Sequence, residues 1–240
     1  MDILLIKLFV AHMLGDFFLQ WDSWVKEKEE KKLRSSKLYL HILIHGILLV
    51  LLLWNIQYWL QIAILVLAHG LIDGLKLVLQ TSKTKRAWFF ADQFLHVISI
   101  LIVWYLTVNP TIDLSFLSQQ AFWIISAGVL TLTFPLSITI KMLIAKWTPN
   151  ATPLNVSQPE TSLQSAGKYI GIMERLLVFI FIYTQHFEAI GFLLAAKSIF
   201  RFGDLKEGND LKLTEYILIG TLLSFGTAIV ISLIIIDLAK

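Results

Sequence analysis

The sequence predicts an all-α, polytopic integral membrane protein with seven or eight transmembrane helices. Three observations carry that expectation. Hydrophobic residues make up 57% of the 240 and charged ones only 15%, with mean hydropathy +0.73, far too apolar for an ordinary water-soluble domain. Apolar stretches of near-spanning length recur from end to end. Lys and Arg gather in alternate connections between them.

The first stretch, 3–20, lacks a basic leader and a small-residue cleavage site and carries His12 and Asp16, so it reads as a membrane helix rather than a cleaved signal peptide. Further stretches follow at 39–53, 58–79, 90–108, 119–144, 168–185 and 214–236. A shorter one, 187–200, is an eighth span, a tilted short helix or a re-entrant segment. Between the first two, 21–37 mixes Lys26, Lys28, Lys31, Lys32, Arg34 and Lys37 with Glu27, Glu29 and Glu30 behind Trp21 and Trp24, as either an interfacial helix or a charged loop. Pro149, Pro153 and Pro159 mark one polar linker. The chain thus divides into a four-helix part (1–110), a fifth helix (111–148), a cytoplasmic linker (149–166) and a C-terminal helical group (167–240).

Basic residues crowd 21–38, 83–86, the ends of the 141–168 link and 201–212, whereas the connection between the second and third stretches and the 109–118 loop have none. Short cytoplasmic loops accumulate such residues, so the N-terminus is expected outside. The excess of Lys and Arg over Asp and Glu, +3 overall, therefore marks topology rather than nucleic-acid binding. With no Cys there is no disulfide, thiolate ligand or cysteine nucleophile. HExxH, P-loop, GxSxG and GxGxxG motifs are also absent.

Ionisable residues inside spans are costly and face a protein interior, a cavity or one another. Here they are spaced four apart: His12 and Asp16, His41 and His45, His69 and Asp73, Asp92 and His96. Each pair shares one helix face, and the four pairs use five of the six histidines. On the expected topology every pair lies roughly 3–15 Å from the cytoplasmic end of its helix, so the four faces can meet at one depth. Three carboxylates in low dielectric require protons or cations, and imidazoles add neutral nitrogen donors. The eight residues therefore suit a divalent metal such as Zn, Fe or Mn, while a hydrogen-bonded packing network and a proton or ion pathway are the other readings of the same set.

Lys76 follows Asp73 by three, where it holds an anionic substrate, offsets a carboxylate or snorkels to the surface. Gln20, Gln80 and Gln93 extend the same faces. A second constellation comprises Glu174, Arg175, Lys197, Arg201 and Glu215, able to clamp an anionic group or simply to form interfacial ion pairs. His186 reads as interfacial, and Gly220, Ser224 and Gly226 as helix contacts.

The leading functional expectation is a metal-dependent hydrolase of a lipid-linked or amphipathic phosphate or ester. In it His45 and Asp73 serve catalysis, all eight paired residues divide between metal ligation and its support, and Lys76, Lys197 and Arg201 bind substrate. A proton- or ion-coupled transporter is the alternative, and a non-catalytic assembly or sensing protein the second. Membrane lipids are expected partners and nucleic acid is not.

The run His12-Met13-Leu14-Gly15-Asp16-Phe17-Phe18-Leu19-Gln20, then His41 and His45, then His69-Gly70-Leu71-Ile72-Asp73 with Lys76, then Asp92-Gln93 and His96, resembles the bacterial domain-of-unknown-function family numbered 3307 over about residues 1–110. Gly171, Glu174, Arg175, 197–201 and 215–224 also resemble its longer members. The resemblance implies a multi-pass protein of the bacterial cytoplasmic (inner) membrane and names no substrate. A looser similarity to membrane-bound metal-dependent hydrolases departs from their motifs in order and spacing.

Overall fold

The computed structural model describes residues 2–147, 162–205 and 211–240, without the side chains of 162–165, 200–205 and 211–214. The fold is all-helical, in two compact units, Met1–Ile112 and Asp113–Lys240. Most of the expected 149–166 linker lies outside the described residues, as does the Arg201 side chain.

In the first unit, α1 (Ile3–Met13) starts where the Asp2 carboxylate accepts the Leu4 N–H at 2.8 Å, and it widens into a π turn over Leu14–Phe18. The chain then bends by 83° into α2 (Asp22–Lys31), so the 21–37 stretch is helical at its start. Ser35 caps α3 (Ser36–Leu53) by accepting the Lys37 N–H. A short turn leads to α4 (Trp59–Leu79), and α5 (Lys85–Val108) ends at a left-handed Asn109, after which Pro110 forbids continuation.

These helices close a ring: α1 packs on α3 and α5, and α4 on α3 and α5. One half of the ring is an apolar core of Leu4, Leu8, Leu49, Leu53, Leu65 and Val103 with their neighbours. The opposite half carries the polar pairs. Outward faces are apolar, with Leu67 at 67%, Leu71 at 68% and Phe94 at 65% exposed, the inverse of a soluble bundle and the surface that lipid would cover.

In the second unit the expected 119–144 span is broken into α6 (Gln120–Thr131) and α7 (Phe134–Ile144), with Pro135 in the first turn of α7. Behind them run α8 (Ser162–Tyr183), α9 (Phe187–Leu205) and α10 (Leu211–Leu238), with α10 packed on α6, α7 and α8. A Cβ at Gly128 would enter the Ile235 side chain, so glycine sets how closely α6 meets α10. The core joins Leu132, Leu136, Val178, Ile182, Phe225 and Ala228.

Among the described residues five helices are long and apolar enough to cross a membrane, or six if Ile3–Phe18 and the bent segment after it count as one. The chain is thus consistent with a multi-pass membrane protein, and the described helices that meet both criteria number fewer than the seven or eight expected. The difference lies in α8 and α9, which carry Lys168, Glu174 and Arg175, and Glu188, Lys197 and Arg201.

Candidate metal centre

All eight paired residues of the first unit come together at one level of the ring. Helix direction explains how: the pairs fall at the C-terminal end of α1, the N-terminal half of α3, the C-terminal half of α4 and the N-terminal half of α5. Neighbours in the ring run in opposite directions, so these ends coincide. Each residue presents its side chain inward, and Asp92 and His41 are 1% exposed, His96 2% and His12 3%.

Asp16 is the hub. Its Oδ1 lies 3.0 Å from His45 Nε2, 3.3 Å from His41 Nε2 and 3.7 Å from His69 Nε2. The Nε2 atoms of His41 and His69 are 3.1 Å apart. On its other oxygen Asp16 accepts the Gln93 amide at 2.8 Å and faces His12 Nδ1 at 4.0 Å. A second knot surrounds His96, whose Nε2 is 3.5 Å from both Asp73 Oδ1 and Asp92 Oδ1. The knots meet where His41 Nε2 lies 3.6 Å from Asp73 Oδ2.

Two lysines complete the charge balance. Lys76 donates to Asp92 at 2.8 Å, the contact of a lysine that offsets a carboxylate. Lys28 donates to Asp73 at 3.1 Å and is itself 5% exposed. The sequence puts Lys28 in a stretch that reads as either an interfacial helix or a charged loop, and does not flag it. The available signal was its spacing of four from Trp24, also buried, which gives α2 an inward face. Among the described residues no lysine or arginine pairs with Asp16.

This donor set fits a divalent cation. His12, Asp16, His45 and His69 form one group whose ligand atoms lie within 4.8 Å of one another; His41, His69 and Asp73 form another, and Asp16, Asp92 and His96 a third. An ion with bonds of ~2.0–2.1 Å in tetrahedral geometry has donor–donor edges of roughly 3.3–3.4 Å, close to the separations around Asp16 Oδ1. His45 Nε2, His96 Nε2, Asp16 Oδ1 and Asp92 Oδ1 are buried without a hydrogen-bond partner. Orphaned acceptors pointing at one another are expensive unless a cation or proton lies between them.

Gly15 is a further residue that the pairing rule did not flag. A Cβ there would run into the His45 imidazole, so glycine lets α1 approach α3 closely enough for Asp16 to reach His45. Gln20 bonds only the Asp16 backbone carbonyl, at 3.2 Å, whereas Gln93 bridges Asp16, Asp92 and His12.

The second unit builds no comparable cluster among its described residues. Lys197 donates to Glu174 at 2.5 Å. Arg175, 3% exposed, donates from Nε to the Leu132 carbonyl at 2.7 Å, from Nη2 to the Thr133 carbonyl at 3.1 Å and to Ser137 Oγ, and from Nη1 to Ser224 Oγ at 3.2 Å. It satisfies carbonyls freed by the α6–α7 break rather than an anion. His186 is exposed and faces Glu188.

Comparison with known proteins gives one family. Residues 4–125 match the family described as protein of unknown function (DUF3307), and as the match spans just over half of the 240 residues, the chain belongs to that family. No curated protein and no solved structure matches the chain.

Proposed function

We propose that this DUF3307 member is a membrane-embedded metalloprotein whose four-helix ring holds a divalent cation, with Asp16 at its hub. One observation carries the reading: Asp16 Oδ1 sits 3.0–3.7 Å from three imidazole Nε2 atoms while no lysine or arginine among the described residues balances its charge. Asp73 and Asp92 are already paired with Lys28 and Lys76, which leaves Asp16 as the carboxylate in need of a positive partner. His41, His45 and His69 join it as donors, and Gln93 fixes the orientation of its other oxygen.

The reaction we propose is hydrolysis of a lipid-linked or amphipathic phosphate or ester. A bound divalent cation, Zn, Fe or Mn, supplies Lewis acidity there. His45 and Asp73 act at the reacting atoms, and Lys76, partly exposed beside Asp92, receives the substrate anion. Lys197 and Arg201 are proposed as headgroup contacts of the second unit. Transport is less favoured, because the ring beyond the cluster is closed by the apolar core of Leu4, Leu8, Leu49, Leu65 and Val103. We further propose seven or eight crossings, with α8 and α9 crossing beside the apolar helices, in a bacterial inner membrane with the N-terminus outside. The support is the distribution of Lys and Arg between the apolar stretches.

Elemental analysis of the full chain, purified in detergent without chelator, tests the centre. At least one equivalent of metal in the wild type, lost in His45→Ala and Asp73→Ala, is the expected result. A metal-free wild type overturns it. A screen with long-chain nitrophenyl phosphates and esters tests the reaction separately.

A further inference from the structure

Resting on the reading that the ring holds a cation, we infer that the centre takes one exogenous ligand from a water-sized cavity on the apolar side of the imidazoles. The natural occupant of that cavity is a single water molecule.

The cavity measures about 20 Å³ and is walled by His12, His45, His69 and His96 together with apolar residues that include Ala11 and Leu65. One water needs roughly 10–15 Å³ and two to four polar neighbours, whereas a wholly apolar hole of this size stays dry. Four imidazoles meet that requirement. His45 and His96 are buried, 4% and 2% exposed, with their Nε2 atoms on the carboxylate side, so the rings form a wall between the cavity and the centre. Ser99, also in the wall, spends its hydroxyl on the His96 carbonyl at 2.8 Å, so the wall's remaining polar groups are the imidazoles.

Size then fixes the ligand class. A phosphate ester with a lipid tail is many times larger than this space. A species of one to three heavy atoms with a lone pair fits. The cavity and Lys76 thus serve different species, a small ligand on the apolar side and an anion on the other.

The test uses the full chain in detergent loaded with cobalt(II), whose visible spectrum reports its ligands, with cobalt content measured independently and sodium azide as the probe. Azide is expected to change the wild-type spectrum and to saturate as a single site. Ala11→Leu fills the space and should weaken azide at least tenfold at unchanged cobalt content. Leu65→Ala enlarges it and should make the spectrum respond to imidazole, which leaves the wild type unmoved; this arm stands even if Ala11→Leu fails to fold. A cobalt-loaded wild type blind to azide overturns the inference and leaves the metal reading intact, as does imidazole binding equally to wild type and Leu65→Ala. A wild type that takes up no cobalt overturns both.

Discussion

Gly15→Ala should weaken metal binding while leaving the bundle folded. An alanine Cβ at this position would stand 2.7 Å from His45 Cδ2, with the other two nearest ring atoms closer still, against an ordinary contact of 3.4–4 Å. The imidazole must therefore retreat by about 1 Å or more, whereas ligand positions are held to about 0.2 Å in working metal sites. His45 Nε2 is now 3.0 Å from Asp16 Oδ1, so the displacement breaks the tightest contact of the hub. Backbone strain does not enter, since Gly15 lies in a helical turn without a positive φ. Helix propensity favours alanine by up to about 1 kcal/mol, so weakened binding would not come from a weakened α1. The assay is competition for zinc against a chromophoric chelator, with circular dichroism as the measure of folding. Affinity is expected to fall about 10- to 100-fold. Gly46→Ala is the control, because its Cβ would make only a 3.4 Å contact with Val66. Wild-type affinity in Gly15→Ala would refute the placement of His45 in the centre.

Asp16→Asn keeps the shape and removes the one carboxylate without a lysine, so metal affinity should drop at least about tenfold in the same competition assay. Lys28→Met strands the buried Asp73 carboxylate, a loss of about 3 kcal/mol that should lower the apparent melting temperature in detergent. Lys28→Arg should recover part of it. Arg175→Ala leaves the Leu132 and Thr133 carbonyls without their donor and should destabilise the second unit by about 2–3 kcal/mol without altering metal content. Because the chain has no cysteine, Lys83→Cys and Asn55→Cys give clean topology probes: an impermeant maleimide should label Asn55→Cys in intact spheroplasts and Lys83→Cys only after lysis.

The part of the site legible in the sequence is the part that follows from helical periodicity. His12 with Asp16, or Asp92 with His96, share a face whatever surrounds them, and an apolar surrounding makes that face turn inward. What periodicity does not convey is how separate helices approach. Lys28 reaches Asp73 only because the chain turns by 83° after Phe18 and lays α2 over the end of the ring. Gly15 matters only through the opposing imidazole on α3. In the second unit, Arg175 is consumed internally, because the break near Pro135 frees carbonyls that it satisfies. Nothing local to Arg175 signals that break, which lies some forty residues earlier in the chain.

Charge arithmetic decides where in the cluster a cation belongs. Three carboxylates and two ammonium groups leave the set with one net negative charge when the imidazoles are uncharged. A buried deficit of that kind is severe in a membrane, and it is local rather than shared, since Lys28 and Lys76 each lie within 3.1 Å of their own carboxylate and neither pairs with Asp16. A divalent ion at Asp16 overshoots to one positive charge, which an anionic substrate or a deprotonated small ligand would neutralise. Replacing Asp73 or Asp92 by asparagine would instead leave an ammonium group unpaired, and the cation would lose affinity through that repulsion even where the residue is not a ligand. The metal content of Lys76→Met paired with Asp92→Asn separates the two effects: if Asp92 acts only by holding Lys76, the double variant regains the metal that Asp92→Asn alone loses.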